Sequence, residues 1–452
     1  MKVFVAGATG VLGKRAVPAL VAAGHQVTAC ARTEDKAAWV RSVGATPVNV
    51  DLFDPAAVKD AVVGHDVVCN LATHIPPMTK MVMPGAWDEN NRIRREASRN
   101  LVDAALAAGA TRYIQESICF MYGDHGDTRI DENTPLDVPK IGRSMLDAEA
   151  QAKRVTEEGS VGIVLRFGGF YGPDAKNSQD FVRMARNYLA PMGGSKSGYM
   201  PMIHLDDTGT AVVAALKAPA GVYNVTDETT TRGEQMDALA RAVGVNRLVA
   251  APAVLTKSGP ISYIARSERV SNKQFKEATG WEPRYPTANE GWPAVVAQMG
   301  GDPAPTVGLL ARLGLLILAL TTLELGVWAT LAPQSFFNSF PGGGRHWVAA
   351  DGPFNEHLVR DFGGLNLALG LLLVVALVVG TRLLVTTAAG AYLLFAVPHF
   401  LYHLFNLQVF DTADKVANVF SLALTVVIPI AVIVAAQRTT PASSSRASLA
   451  SP

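Results

Sequence analysis

The run Gly7-Ala8-Thr9-Gly10-Val11-Leu12-Gly13 constrains this chain more than any other feature, because it joins an apolar stretch, residues 2–6, to an Ala- and Leu-rich stretch, residues 12–23. Glycine at a turn lets the main chain approach a neighbour or a ligand with no Cβ in between. The helix that follows offers free N–H groups to an anion. Strand, glycine turn and helix in that order open a βαβ unit whose loop cradles a pyrophosphate. Gly7, Thr9, Gly10, Val11, Leu12 and Gly13 are therefore candidate cofactor contacts.

The texture continues downstream. Val-rich runs at residues 26–31, 46–50, 66–71, 112–116 and 162–166 alternate with helix-favouring stretches at 55–62, 87–108 and 143–158. That alternation specifies an α/β fold, a Rossmann-type doubly wound parallel sheet buried on both faces. Beyond residue 166 Gly, Pro and Tyr become denser through Pro201, and residues 206–217 and 232–243 again favour helix. This is the texture of a small C-terminal part that covers a substrate.

Composition breaks at residues 300–306. After the break, four nearly uncharged runs, about 313–332, 362–380, 383–404 and 416–436, reach the length of a bilayer span. The expected organisation is a dinucleotide-binding domain over 1–297, a linker over 298–312, an all-α transmembrane bundle over 313–437 and a disordered tail over 438–452. No charged-then-apolar leader precedes the first strand, so the N-terminal domain of a multi-pass cell-membrane protein is expected to be cytoplasmic. That orientation puts Arg312, Arg382, Arg438 and Arg446 inside. Asp351, Glu356, Asp361, Asp411 and Asp414 fall outside with Arg345, Arg360 and Lys415, as the positive-inside rule requires. With a net charge of +1 and no basic arm, nucleic acid is not an expected partner. The three cysteines, Cys30, Cys69 and Cys119, form no Cys-x-x-Cys and read as buried residues of a reducing compartment.

The Gly-x-x-Gly-x-x-Gly spacing resembles the loop of the extended short-chain dehydrogenases/reductases, the family of sugar-nucleotide epimerases and dehydratases. Asp51-Leu52-Phe53-Asp54, Asn70-Leu71-Ala72-Thr73, the Tyr171-Gly172-Pro173 segment after Arg166, His204-Leu205-Asp206-Asp207, Gly221-Val222-Tyr223-Asn224-Val225 and Gly280-Trp281-Glu282-Pro283 resemble its later landmarks. The resemblance covers residues 1–297. It implies a nicotinamide cofactor, with Asp51 and Leu52 at the adenine and Leu71, Ala72 and Thr73 along its length. The four spans resemble DoxX-type membrane families.

The second strand ends in Ala31-Arg32, where NAD-binding members of such folds carry an acidic residue for the ribose hydroxyls. A guanidinium cannot accept those bonds but pairs bidentately with a 2′-phosphate, and Lys36 stands near to assist. NADP is the expected cofactor, with NAD as the alternative.

The family's proton relay, a Tyr-x-x-x-Lys pair, is missing. Its positions carry Ile141 and Met145, and none of the ten tyrosines begins such a motif. Ser117 and Tyr122 are the candidate catalytic groups that remain, with Glu116 and Asp147 behind them. Within the spans, Glu324 and the His399/His403 pair are expected to face the bundle interior, because an ionisable group in lipid is costly. Interhelical hydrogen bonding is the favoured role over a proton, quinone or metal site, and no metal is expected. The functional expectation is a membrane-anchored oxidoreductase or epimerase/dehydratase-like enzyme acting on a small-molecule or lipid-like substrate. The alternative is a non-catalytic NADP(H) sensor or scaffold.

Overall fold

In the computed structural model, which describes residues 1–76, 81, 83–139, 142–250, 262–300 and 307–437, the chain forms two compact units, Met1–Gly301 and Asp302–Pro452. Seven strands build the sheet of the first: β1 (Lys2–Ala6), β2 (Gln26–Cys30), β3 (Thr46–Val48), β4 (Val67–Asn70), β5 (Arg112–Ile118), β6 (Val161–Phe167) and β7 (Gly221–Val225). Their spatial order is β7-β6-β5-β4-β1-β2-β3 and every pairing is parallel. The order reverses between β1 and β4, so the loops after these strands flank the crevice where doubly wound sheets bind ligands.

Alternation along each strand explains why both faces are covered. Val3 and Val5 pack with Ala16, Val17 and Leu20 of the helix Gly13–Ala22, whereas Phe4 and Ala6 pack with Val58, Val62, Leu101 and Val102 on the other face. Burial of each Val, Leu or Phe among them contributes about 1.5–3 kcal/mol. The helix expected over 87–108 is one rod in three parts, Asp88–Arg92, a π-helical turn Ile93–Ala97, and Ser98–Ala107. The wide turn carries Arg94 to the end of β5, where it meets Glu116.

Four helices of this unit escape the composition reading: Glu34–Ser42, Lys176–Arg186, Lys273–Thr279 and Ala288–Met299. Two of them present few apolar residues to the core: in Glu34–Ser42 only Ala37 and Val40 are buried, and in Lys273–Thr279 only Phe275. Their sequence signals lie at the ends instead. Thr287 and Glu290 form a reciprocal capping box, and Glu34, Asp35 and Arg41 match the helix dipole.

Among the described residues of the second unit four helices are long and apolar enough to cross a membrane: Leu309–Leu331, Glu356–Val379, Arg382–Phe405 and Thr412–Gln437. The first begins inside the stretch expected to be linker; residues 301–306 of that stretch and the tail 438–452, with Arg438 and Arg446, lie outside the described residues. Small residues set the closest helix pair. A Cβ on Gly326, Gly363 or Gly370 would come within 3.0 Å of Leu367, Thr330 or Leu323 across the interface of the first two of these helices. Arg312 reaches the carbonyls of Val307 and Leu377 at one end of the bundle, and Arg345 pairs with Asp414 at 3.0 Å at the other.

Candidate functional site

The glycine loop leaves β1 at the switch point. Gly7, at φ +74°, lies so close to the end of β4 that a Cβ there would come well inside 3.0 Å of the Leu71 carbonyl and the Ala72 nitrogen. Gly13 is equally crowded by the main chain of Gly7 and Ala8, which locks the first helical turn onto the loop. Within it Gly10 N–H donates to the Gly7 carbonyl at 3.0 Å, while Gly10 and Val11 stay exposed. Among the described residues no acceptor meets the N–H groups of Val11 and Leu12. A helix start with free donors and no side chain in front suits a pyrophosphate.

The other cofactor candidates follow successive strands at the same sheet edge. After β2, Arg32 is exposed and no carboxylate among the described residues pairs with it. After β3, Asp51 accepts from Phe53 N–H at 3.0 Å, and the Leu52 carbonyl accepts from Asn100 at 2.9 Å, which fixes that loop. After β4, the buried Asn70 amide donates to Ser98 and Gln115, both at 3.0 Å, and its oxygen accepts from Ala72 N–H at 3.2 Å. These bonds hold Leu71 and Ala72 beneath the glycine loop and leave Thr73 exposed. The edge thus presents donors, an exposed cation and an acidic turn around one crevice.

The catalytic candidates lie differently. Ser117 shares its strand face with Tyr113, toward the helix Arg143–Glu157, and donates its only proton to Glu149 at 2.7 Å. Glu149 in turn receives Arg166 through Nε at 2.9 Å and a terminal nitrogen at 2.7 Å. The same guanidinium donates to the Tyr122 hydroxyl at 2.9 Å, which donates onward to Asn224 at 2.7 Å. Serine, carboxylate, guanidinium, phenol and amide form one buried chain across β5, β6 and β7. Burial pushes the Tyr122 phenol up, away from the range in which it would exchange a proton at neutral pH. Both hydroxyl protons are committed to protein acceptors.

Glu116 is buried against Arg94 at 2.8 Å; burial pushes its carboxyl up and the guanidinium opposes the rise. Asp147 is exposed and pairs with Arg95 at 3.0 Å. Met145, at the lysine position, is buried, and Ile141, at the tyrosine position, lies outside the described residues. Sequence reasoning missed Glu149 and Arg94, whose partners are distant in the chain.

The later landmarks are structural. Asp206 and Asp174 hold Arg15, each at 2.8 Å, while Asp207 accepts from the N–H groups of Arg284 at 2.7 Å and Tyr285 at 3.0 Å. Tyr171 packs on Trp292. These contacts tie the C-terminal part of the unit to its first helix and sheet.

In the bundle, the expectation for Glu324 is overturned. It is exposed on the outer surface of the helix Leu309–Leu331, in the stripe of Leu313, Ile317, Leu320, Val327 and Leu331. Helical geometry is the reason, since Thr322 and Gly326 take the inward positions of that turn. His399 and His403 are half-buried, with rings 4.8 Å apart, and His399 stacks on Phe395. Among the described residues no group of three or more potential ligands could hold a metal ion.

A family model described as NAD(P)H-binding matches residues 7–219. A 3-diazoavenalumate denitrifying reductase of a Streptomyces species is 33% identical over 307 residues, which are 64% of this chain and 99% of that protein. Among solved structures, a human epimerase family protein with NADPH superposes with a TM-score of 0.55 at 21% identity, covering 66% of this chain and 98% of that one. A Thermus thermophilus UDP-glucose 4-epimerase with NAD gives a TM-score of 0.54 at 22% identity, over 66% and 99%.

Proposed function

Because the chain belongs to the NAD(P)-binding, epimerase/dehydratase-like short-chain dehydrogenases/reductases, we propose that it is an NADPH-dependent reductase anchored to a membrane by its four C-terminal helices. The observation that carries this reading is the glycine cradle at the switch point, with the exposed Arg32 one strand away. Gly7 to Gly13 would hold the pyrophosphate, Arg32 the 2′-phosphate, Asp51 and Leu52 the adenine, and Leu71 to Thr73 the remainder. The bound cofactor supplies a hydride.

The protein's own residues limit what can accept it. Ser117 and Tyr122 have committed their protons, and Met145 has none to give, so none of these three described positions supplies a side-chain acid for a reduced carbonyl oxygen. The reading favours acceptors whose product is protonated by water or needs no such acid. A reductase of a diazo compound among the relatives supports this. The Ser117–Glu149–Arg166–Tyr122 chain positions the ends of β5 and β6 and takes no part in proton transfer. With the basic end of the bundle inward, the reductase unit lies on the cytoplasmic side of the cell membrane, where a small-molecule or lipid-like substrate reaches it.

A second reading, an NADP(H) sensor without chemistry, is favoured by those same committed protons. One experiment separates them. The full chain in detergent is given NADPH with ketones, quinones, iminium and diazo compounds, while binding and loss of absorbance are followed together. Turnover with at least one class is expected. Tight NADPH binding with no turnover on any class would refute the reductase and leave the sensor.

A further inference from the structure

A cavity of about 360 Å³ opens elsewhere on the first unit, lined by Arg129, Glu228, Thr229, Arg269, Ser271 and Lys273 among others. It shares no residue with the cradle. At its wall a short parallel ladder pairs Arg129–Ile130 with Arg269–Val270, in the register Arg129 opposite Arg269. Directly opposed residues project to the same side, with strands only about 4.8 Å apart. Two guanidinium groups so placed repel each other.

The protein does not neutralise them. Among the described residues neither arginine has a carboxylate partner: Arg269 donates to the Asp127 carbonyl at 3.3 Å and lies 4.9 Å over the Tyr199 ring. Three of the nearby acids are already engaged with lysines. Glu228 holds Lys276 at 3.0 Å, Glu282 holds it at 2.6 Å, and Glu277 is 3.6 Å from Lys273. Around the pair the wall is fixed by short bonds. Thr229 donates to the Val270 carbonyl at 2.7 Å and Asn272 to the Thr226 carbonyl at 2.8 Å, while Ser271 accepts from Lys273 N–H at 3.4 Å and keeps its own proton free.

We propose that this cavity binds a phosphate-type dianion, clamped between Arg129 and Arg269. Guanidinium forks match phosphate oxygens bidentately, and an anion between them turns a repulsive pair into an attractive triad. The volume admits a phosphate with a small attached group. A soluble phosphate ester and the headgroup of an anionic lipid share this chemistry.

The test uses the full chain in neutral detergent with saturating NADPH, which keeps the cradle filled. Inorganic phosphate is titrated by calorimetry at constant ionic strength; dihexanoyl phosphatidic acid is titrated in parallel, with dihexanoyl phosphatidylcholine as control. Phosphate or phosphatidic acid should bind with a dissociation constant below about 10 mM. Phosphate binding marks a soluble source; phosphatidic acid binding without phosphate binding marks a lipid source. In the double variant Arg129→Gln, Arg269→Gln affinity should fall at least tenfold, while without anion the variant should melt no lower than the unsubstituted protein. Its retained NADPH affinity reports that it is folded. Anion affinity unchanged in the folded double variant, or no binding of either probe to the unsubstituted protein, would overturn the proposal. If the double variant does not fold, Arg129→Lys with the same titration decides: a single ammonium loses the bidentate contact, and unchanged affinity counts against the site.

Discussion

Replacing Gly7 by alanine tests whether the cradle rests on main-chain contact between the β1 loop and the end of β4. Two costs are expected. At φ +74° an L side chain is disfavoured by about 1–2 kcal/mol, and a Cβ inside 3.0 Å of the Leu71 carbonyl and Ala72 nitrogen forces them apart at roughly 1–3 kcal/mol more. Gly24 separates the two. It has φ +83° and nothing within 4 Å of its added Cβ, so Gly24→Ala carries only the first cost. Gly7→Ala should therefore be the less stable of the pair by about 1–3 kcal/mol. Because the displaced loop presents the Val11 and Leu12 N–H groups, NADPH affinity should fall at least tenfold in Gly7→Ala and stay unchanged in Gly24→Ala. Thermal unfolding and NADPH fluorescence titration on the full chain measure both quantities. Equal melting temperatures with undiminished NADPH binding in Gly7→Ala would refute the argument that this contact builds the site.

Further predictions rest on other groups. Arg32→Ala should weaken NADPH binding by about 1.5–3 kcal/mol and leave NADH nearly unchanged, and equal affinities for the two cofactors in the unsubstituted protein would end the 2′-phosphate assignment. Glu149→Leu strips the buried Arg166 of its charge partner, so the melting point should drop by the equivalent of about 3–5 kcal/mol, and a drop no larger than that of a surface substitution would argue against the network. Burial raises the Glu268 carboxyl from 4.5 to about 8. A carboxyl held protonated in the fold contributes stability that is full below 4.5 and lost as pH rises through about 8, so Glu268→Gln should flatten the melting-point profile over that window; an unchanged profile would exclude Glu268 as its source. Glu324→Leu should favour insertion of the first span by about 3 kcal/mol in a glycosylation-mapping assay, unless a second copy covers Glu324, in which case the substitution should dissociate an oligomer on sizing.

What was legible in the sequence was what depends on local periodicity or on glycine. The limits of β1 and of the helix Pro55–Val62 follow from apolar patterning and, for the helix, from Asp54-Pro55 at its start, where Asp54 accepts from Ala56 and Ala57. The position of the loops after β1 to β4 was legible because a parallel sheet sends every such loop to one edge, whatever the loop contains. The four long apolar helices were legible from length and hydropathy alone. Tertiary structure decided where side chains point and which distant groups they meet. Ser117 meets Glu149 because strand alternation puts it on the face of Tyr113, and that hydrogen bond exists only once a helix from residues 143–157 lies across the strand. Glu324 faces outward because its helix rotates Thr322 and Gly326 against its neighbours, a choice made by close packing and not by the charge itself. The opposed Arg129 and Arg269 stand 140 positions apart in the sequence and become a pair only in the register of their ladder. Local pattern determines elements and the edge where they open; the electrostatics of each site is set by contacts between residues far apart in the chain, and only the packed structure supplies those.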